Sequence, residues 1–164
     1  MKKNDRDIIL DIYIFDQLGN IASVDRDQTD IYECDVLSMI ILKLPVGEHP
    51  IEYIKKYIKQ KKLSIIQLEL LPAIFLNQFD SEPNKDYLVF SFKISIKKTK
   101  RMCPDFENKN IKWMPFNQFK KHPKLMPELK KNSFEQIFNG ESLFYRGIYK
   151  DSDGSNSVLK WHKV

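Results

Sequence analysis

The chain is poor in the residues that usually announce chemistry. It has two cysteines, Cys34 and Cys103, with no CxxC pair and no histidine at ligand spacing, so neither a zinc site nor a disulfide framework is indicated. A reducing cytoplasm is the expected compartment. The three histidines, His49, His122 and His162, are dispersed beside lysine, proline or glutamate and read as surface residues. No Gly-x-Ser-x-Gly elbow accompanies them, and the five glycines form neither a Walker phosphate loop nor a dinucleotide fingerprint. Long apolar runs are also missing: residues 8–15 are interrupted by Asp11 and followed by no small-residue cleavage site, so no export signal or membrane span is expected. The most consequential absence is acidic. Residues 53–68 contain no aspartate or glutamate at all.

What is present suits one mixed domain. With 164 residues and 42% hydrophobic content, the chain is long enough for one core and too short for two comfortable ones, so residues 1–164 are read as a single domain. Charged residues make up 30% and the net charge is +5, which favours anionic partners over cationic ones. A lysine-rich solvated surface explains the same numbers without any partner.

The element order is legible. Residues 8–15 and 21–24 are apolar segments around Asp16-Gln17-Leu18-Gly19-Asn20, a β-hairpin signal. After a polar loop at 25–33, residues 36–44 have the nearly continuous apolar character of a strand covered on both sides. Pro45 and Gly47 end that run, and Pro50 opens a helix expected over 50–62, with Glu48 and Glu52 near its positive end. Ile51, Ile54, Tyr57 and Ile58 form its apolar stripe, and lysines take most of the remaining circumference. Residues 65–75 are apolar, with Pro72 limiting them to an edge strand or splitting them at a bulge. Residues 86–96 alternate, with Tyr87, Val89, Ser91, Lys93 and Ser95 on one face and Leu88, Phe90, Phe92, Ile94 and Ile96 on the other. A short strand at 111–114, a helix over 125–138 and a final hairpin from 142–149 and 158–162 complete the order. This is an α+β arrangement: a mixed curved β-sheet flanked by helices, with a C-terminal hairpin.

That order, with Leu44-Pro45-Val46-Gly47 opening the first helix, resembles the Nudix hydrolase domain, of MutT-like fold. The turn is similar to the family's Leu-Pro-Gly-Gly, the helix over 50–62 takes the place of its catalytic helix, and Glu107 and Trp113 match an acidic residue leading into a tryptophan-containing strand. The resemblance spans residues 8–138, and the final hairpin is like the extra ending of some members. It implies a helix whose glutamates hold divalent metal against a diphosphate, in the pattern Arg-Glu, an apolar residue, any residue, Glu-Glu, then glycine. With Ile58 as the apolar residue, Lys56 stands for the arginine, Tyr57 for its glutamate, and Gln60 and Lys61 for the paired glutamates. In strict spacing from Gly47, Tyr53 and Lys61 fall on the first glutamate and the arginine. The closing glycine is replaced by Leu63 or Ser64. The box is degenerate in either register, because magnesium requires a cluster of hard oxygen ligands.

Three expectations follow. The first is a non-catalytic binding or interaction module for nucleotide, RNA or protein, with Gly47, Lys55, Lys56, Lys59 and Lys61 lining an anion site and no cofactor required. Two unit charges about 4 Å apart interact by roughly 4 kcal/mol at a dielectric near 20, so reversing glutamate to lysine changes what such a surface holds. The second is a metal-dependent hydrolase of nucleoside-diphosphate-linked substrates, using magnesium or manganese at a rearranged site around Glu48 and Glu52, with Glu69, Asp80, Glu82 or Glu107 drawn in. The third is a small structural subunit covered by a protein partner. The basic residues Lys97, Lys98, Lys100 and Arg101, following a strand with Tyr87, Phe90 and Phe92, offer a nucleic-acid reading beside the plainer one that those rings, and Trp113 and Trp161, are packing residues.

Overall fold

A computed structural model describes residues 5–26, 36–79, 85–97, 111–125, 134, 137–138, 143–150 and 157–163. These form nine strands of one mixed sheet: β1 (Asp5–Phe15), β2 (Asn20–Arg26), β3 (Val36–Ser38), β4 (Ile40–Lys43), β5 (Ser64–Phe79), β6 (Lys85–Lys97), β7 (Ile111–Pro115), β8 (Leu143–Lys150) and β9 (Ser157–Lys163). Two helices accompany them, α1 (Pro50–Gln60) and α2 (Phe116–Lys120). The order across the sheet is β3-β2-β1-β6-β5-β8-β9, with β4 also pairing β1 and β7 also pairing β2.

The sheet is organised around β1 and β6, which run parallel from Asp5↔Lys85 to Phe15↔Ser95. Alternation sends their side chains to two faces, and both faces are apolar. Tyr13, Val89 and Phe75 belong to one buried cluster, together with Phe119, Leu125 and Ile137. Leu10, Ile12, Ile14, Phe92, Ile94 and Ile96 belong to the other, which Ile54 and Ile58 of α1 complete. The sheet is therefore a middle layer. The first face packs on α2 and on the helical residues Phe134, Ile137 and Phe138, where Tyr13 meets Phe138 edge to face at 5.0 Å. The second packs on α1.

The opening hairpin is present but brief. Asp16 fixes its turn, its Oδ1 accepting from the backbone N–H groups of Leu18 and Asn20 at 2.9 Å and its Oδ2 from Asn20 Nδ2 at 2.9 Å. Beyond Phe15↔Ile21 the strands part, β1 going to β4 and β6, β2 to β3 and β7.

The expected single strand over 36–44 is two strands. Met39 separates β3, which pairs β2, from β4, which pairs β1, because the chain crosses here from one diverging strand to the other. Pro72 takes the bulge alternative. The β5–β6 register shifts between Leu70↔Phe92 and Ile74↔Phe90, so the missing N–H falls where the ladder is already interrupted, and β8 covers β5 from Ala73 onward. Leu125 does not begin a helix; it bridges Leu37, whose N–H donates to the Lys124 carbonyl at 2.6 Å. Most of the remaining helix expected there lies outside the described residues, as do the basic residues Lys98, Lys100 and Arg101 and the turn expected between the last two strands. The final hairpin is β8 and β9, paired antiparallel. Among the described residues, no helix is long and apolar enough to cross a membrane.

Candidate functional site

The glycine turn is built from backbone chemistry. The Glu48 N–H donates to the Pro45 carbonyl at 3.2 Å, closing a four-residue turn with Gly47 at its third position. Gly47 has φ +86°, the value a type II turn demands there. A Cβ at Gly47 would meet nothing within 4 Å, so the requirement is conformational and owes nothing to crowding. His49 then caps α1 in extended geometry without a side-chain bond, Pro50 occupies the first helical turn, and the Tyr53 N–H reaches the His49 carbonyl at 2.9 Å.

Burial of Ile54 and Ile58 against the second face of the sheet sets the rotation of α1. Glu52, Lys55, Lys56, Lys59 and Gln60 consequently face solvent, while Tyr53 and Tyr57 lie half-buried along one flank. Lys55 Nζ sits 2.9 Å from Glu52 Oε1 and holds its carboxyl below the usual range. Lys61 turns toward the tyrosine flank, its Nζ 5.7 Å from the Tyr57 ring centroid, and burial pushes the Tyr57 hydroxyl above its ordinary value. The helix ends in a Schellman motif, with the Leu63 N–H donating to the Ile58 carbonyl and the Lys62 N–H to the Lys59 carbonyl. Lys62 occupies the left-handed position with φ +56°.

The structure thus gathers Lys55, Lys56 and Lys59 on the outer face of α1, places Lys61 on the adjoining flank, and leaves Gly47 in the turn at the opposite end of the helix. Lys56 and Lys59 join no acidic partner among the described residues.

The donor set for a metal is poor. Among the described residues no group of three or more histidine, cysteine, aspartate or glutamate side chains is placed to hold an ion. Glu48 is exposed, and Glu52 is tied to Lys55. Glu69 pairs in register with Lys93, whose neighbours Phe92 and Ile94 point to the α1 face; Glu69 therefore projects from the face opposite the helix. It cannot share an ion with Glu48 and Glu52. Asp80, Glu82 and Glu107 lie outside the described residues. The described residues near the turn do not fit the oxygen cage that a family metal site needs.

Other sequence candidates resolve into packing. Phe92 is buried on the α1 face, Phe90 and Trp113 pack partly into the same cluster, and His122 accepts the Lys124 N–H at its Nδ1. Sequence reasoning missed two features. One is a set of buried polar atoms without a partner on the opposite face, Tyr13 Oη and Ser91 Oγ among them, which nothing in the residue pattern marks. The other is the position of Lys97, which the β5–β6 register sets opposite Ser64, just beyond Lys62.

No family model and no curated protein matches the sequence. Solved structures do match the fold. The MutT mutator protein of Bacillus halodurans has a TM-score of 0.65 at 15% identity, with 96% of this chain and 97% of that chain covered. The MutT protein of Methanosarcina mazei has a TM-score of 0.58 at 11% identity, covering 84% and 95%. A Nudix hydrolase of Nitrosomonas europaea has a TM-score of 0.54 at 11% identity, covering 89% and 80%. The architecture is a mixed sheet layered between helical segments. More particularly, it is the Nudix fold in its MutT-like form.

Proposed function

We propose that this chain is a Nudix-fold module without metal-assisted hydrolysis, binding phosphate-bearing partners through the outer face of α1. One observation carries the reading: Lys56 and Lys59 stand on the solvent face of the helix without an acidic partner among the described residues, and Lys55 beside them pairs with the one acid of that face, Glu52. Lysines on an exposed helix work close to the dielectric of water, where a pair of charges 4 Å apart is worth about 1 kcal/mol. Affinity must then come from several lysines acting together, and it falls as salt rises. Holding a phosphate this way accelerates nothing, since no described group nearby is placed to activate water for attack.

The test has two arms. Calorimetric titration with magnesium and manganese is combined with a phosphate-release assay on a panel of nucleoside diphosphate derivatives. No turnover is expected. Titration with inorganic pyrophosphate should show metal-independent binding that Lys55→Glu, Lys56→Glu and Lys59→Glu together abolish. Saturable metal binding with turnover would instead favour a hydrolase built around Glu48 and Glu52 and would overturn the proposal.

A further inference from the structure

The first half of β5 is an open edge. Among the described residues, β6 pairs one side of the strand, and β8 takes the other side only from Ala73 onward. Alternate backbone N–H and carbonyl groups of residues 64–71 therefore point away from β6 with no described strand to receive them. The side chains are open as well. Of the four large apolar residues that stand in solvent among the described ones, Leu18 and Val46 belong to turns, whereas Ile66 and Leu70 belong to this edge, 58% and 52% exposed. The two faces of the edge differ. Leu68 and Leu70 pair with Ile94 and Phe92, which puts them on the α1 face, and Leu68 packs partly into the cluster there. Gln67 and Glu69 pair with Ser95 and Lys93 on the opposite, polar face, and exposed Lys62 and Lys97 stand at the Ser64 end.

We propose that this edge accepts one extended peptide strand from a protein partner, with apolar residues at alternate positions on the α1 face and carboxylates at the end nearest Lys62 and Lys97. In such strand addition the main-chain ladder supplies affinity and alternate side chains supply selectivity. The surface is separate from the outer face of α1 and does not depend on it. The β5–β6 register is regular only from Gln67 to Leu70, with shifts between Ile65 and Gln67 and between Leu70 and Ile74, so the free ladder is short. A short ladder favours a single strand anchored on Leu70 over a long seam between two copies of the chain, which at a net charge of +5 each also repel. It engages far fewer than the roughly 20–30 residues a side of a standard interface, so a dissociation constant of about 10–100 μM is expected.

The probes are the fluorescein-labelled peptide Glu-Glu-Thr-Val-Thr-Val-Thr and its reverse sequence, which together cover both strand directions. Each is titrated with the full chain by anisotropy at about 50 mM salt, where exposed charges are least screened. One of them should bind, and amide hydrogen exchange across residues 64–71 should slow in the complex. The same peptides with proline in place of threonine keep the charge but cannot complete the ladder, and should bind at least about tenfold more weakly. Leu70→Lys removes the apolar anchor while adding attraction for carboxylates, and should bind at least about fivefold more weakly, with a thermal melt to confirm that it is folded. Equal binding of the proline peptides would show that charge alone holds them and would overturn the proposal. Binding unchanged by Leu70→Lys, or failure of both peptides, would do the same. So would sedimentation showing a dimer that Leu70→Lys dissolves, because the occupant would then be a second copy.

Discussion

Lys62 offers a direct test of how α1 is terminated. It is the one non-glycine residue at positive φ among the described residues, at +56°, in the position of a Schellman motif where glycine is usual. The motif is otherwise complete: the Leu63 and Lys62 N–H groups reach the Ile58 and Lys59 carbonyls at 3.2 and 2.9 Å, and Leu63 and Ile58 are both buried in the cluster beneath the helix. A side chain in the left-handed region costs about 1–2 kcal/mol. Glycine removes that cost but gives back about 0.4–1 kcal/mol through its freer unfolded chain. Lys62→Gly should therefore stabilise the protein by about 0.5–1 kcal/mol, which for a chain of this size raises the melting temperature by about 1–4 °C. Urea denaturation gives the same quantity independently. Lys62→Ala is the control, because alanine keeps the unfavourable φ while removing the charge. If alanine stabilises as much as glycine, relief of lysine repulsion is responsible and the conformational account fails. A lower melting temperature for Lys62→Gly would refute the account outright.

Two further outcomes concern the interior and the acid limb. Tyr13 is fully buried and its hydroxyl has no partner, so Tyr13→Phe should leave stability against urea unchanged or raise it by about 1 kcal/mol; a loss of similar size would reveal a trapped polar partner. Asp7 receives Lys43 Nζ at 2.8 Å and lies 3.4 Å from Lys85 Nζ, and the Lys43 hydrogen bond above all holds its carboxyl below the ordinary 3.8. A depressed folded value means that its contribution is complete above the unfolded value and is lost as pH falls from about 3.8 through the lower folded one. Asp7→Asn should accordingly lower stability at neutral pH and flatten the decline in that acid window, and a decline as steep as the parent's would exclude Asp7 as a source.

Where a local signal coincided with the tertiary demand, the element could be read in advance. β6 announced itself by strict alternation, Pro72 by the ladder bond it cannot make, and α1 by Pro50 and the spacing of Ile54 and Ile58. Elements that depend on distant partners were hidden. No turn residue marks Met39, and the chain breaks there only because β1 and β2 diverge. α2 has five residues, too few to show a period, and Leu125 fits helical spacing although its backbone bridges Leu37. The site divides in the same way. The lysine face follows from helical geometry, and Tyr57 packs against the cluster under the helix as its spacing indicates, whereas the position of Lys97 opposite Ser64 depends on the β5–β6 register.

The lysine-rich outer face of α1 costs the helix little. Lysines three and four residues apart repel by about 0.2–0.5 kcal/mol per pair, a cost that applies to Lys55 with Lys59 and Lys56 with Lys59. Lys59, however, stands in the last turn, at the negative end of the helix dipole, where a cation gains about 0.3–1 kcal/mol. The two effects nearly cancel. What holds α1 in place is Ile54 and Ile58 against Ile12, Ile94 and Ile96, on the side of the helix that carries no charge. The charge on the outer face can therefore vary without disturbing the sheet. A fold shared at 11–15% identity accordingly fixes the position of the helix and leaves its chemistry to the residues on its outer face.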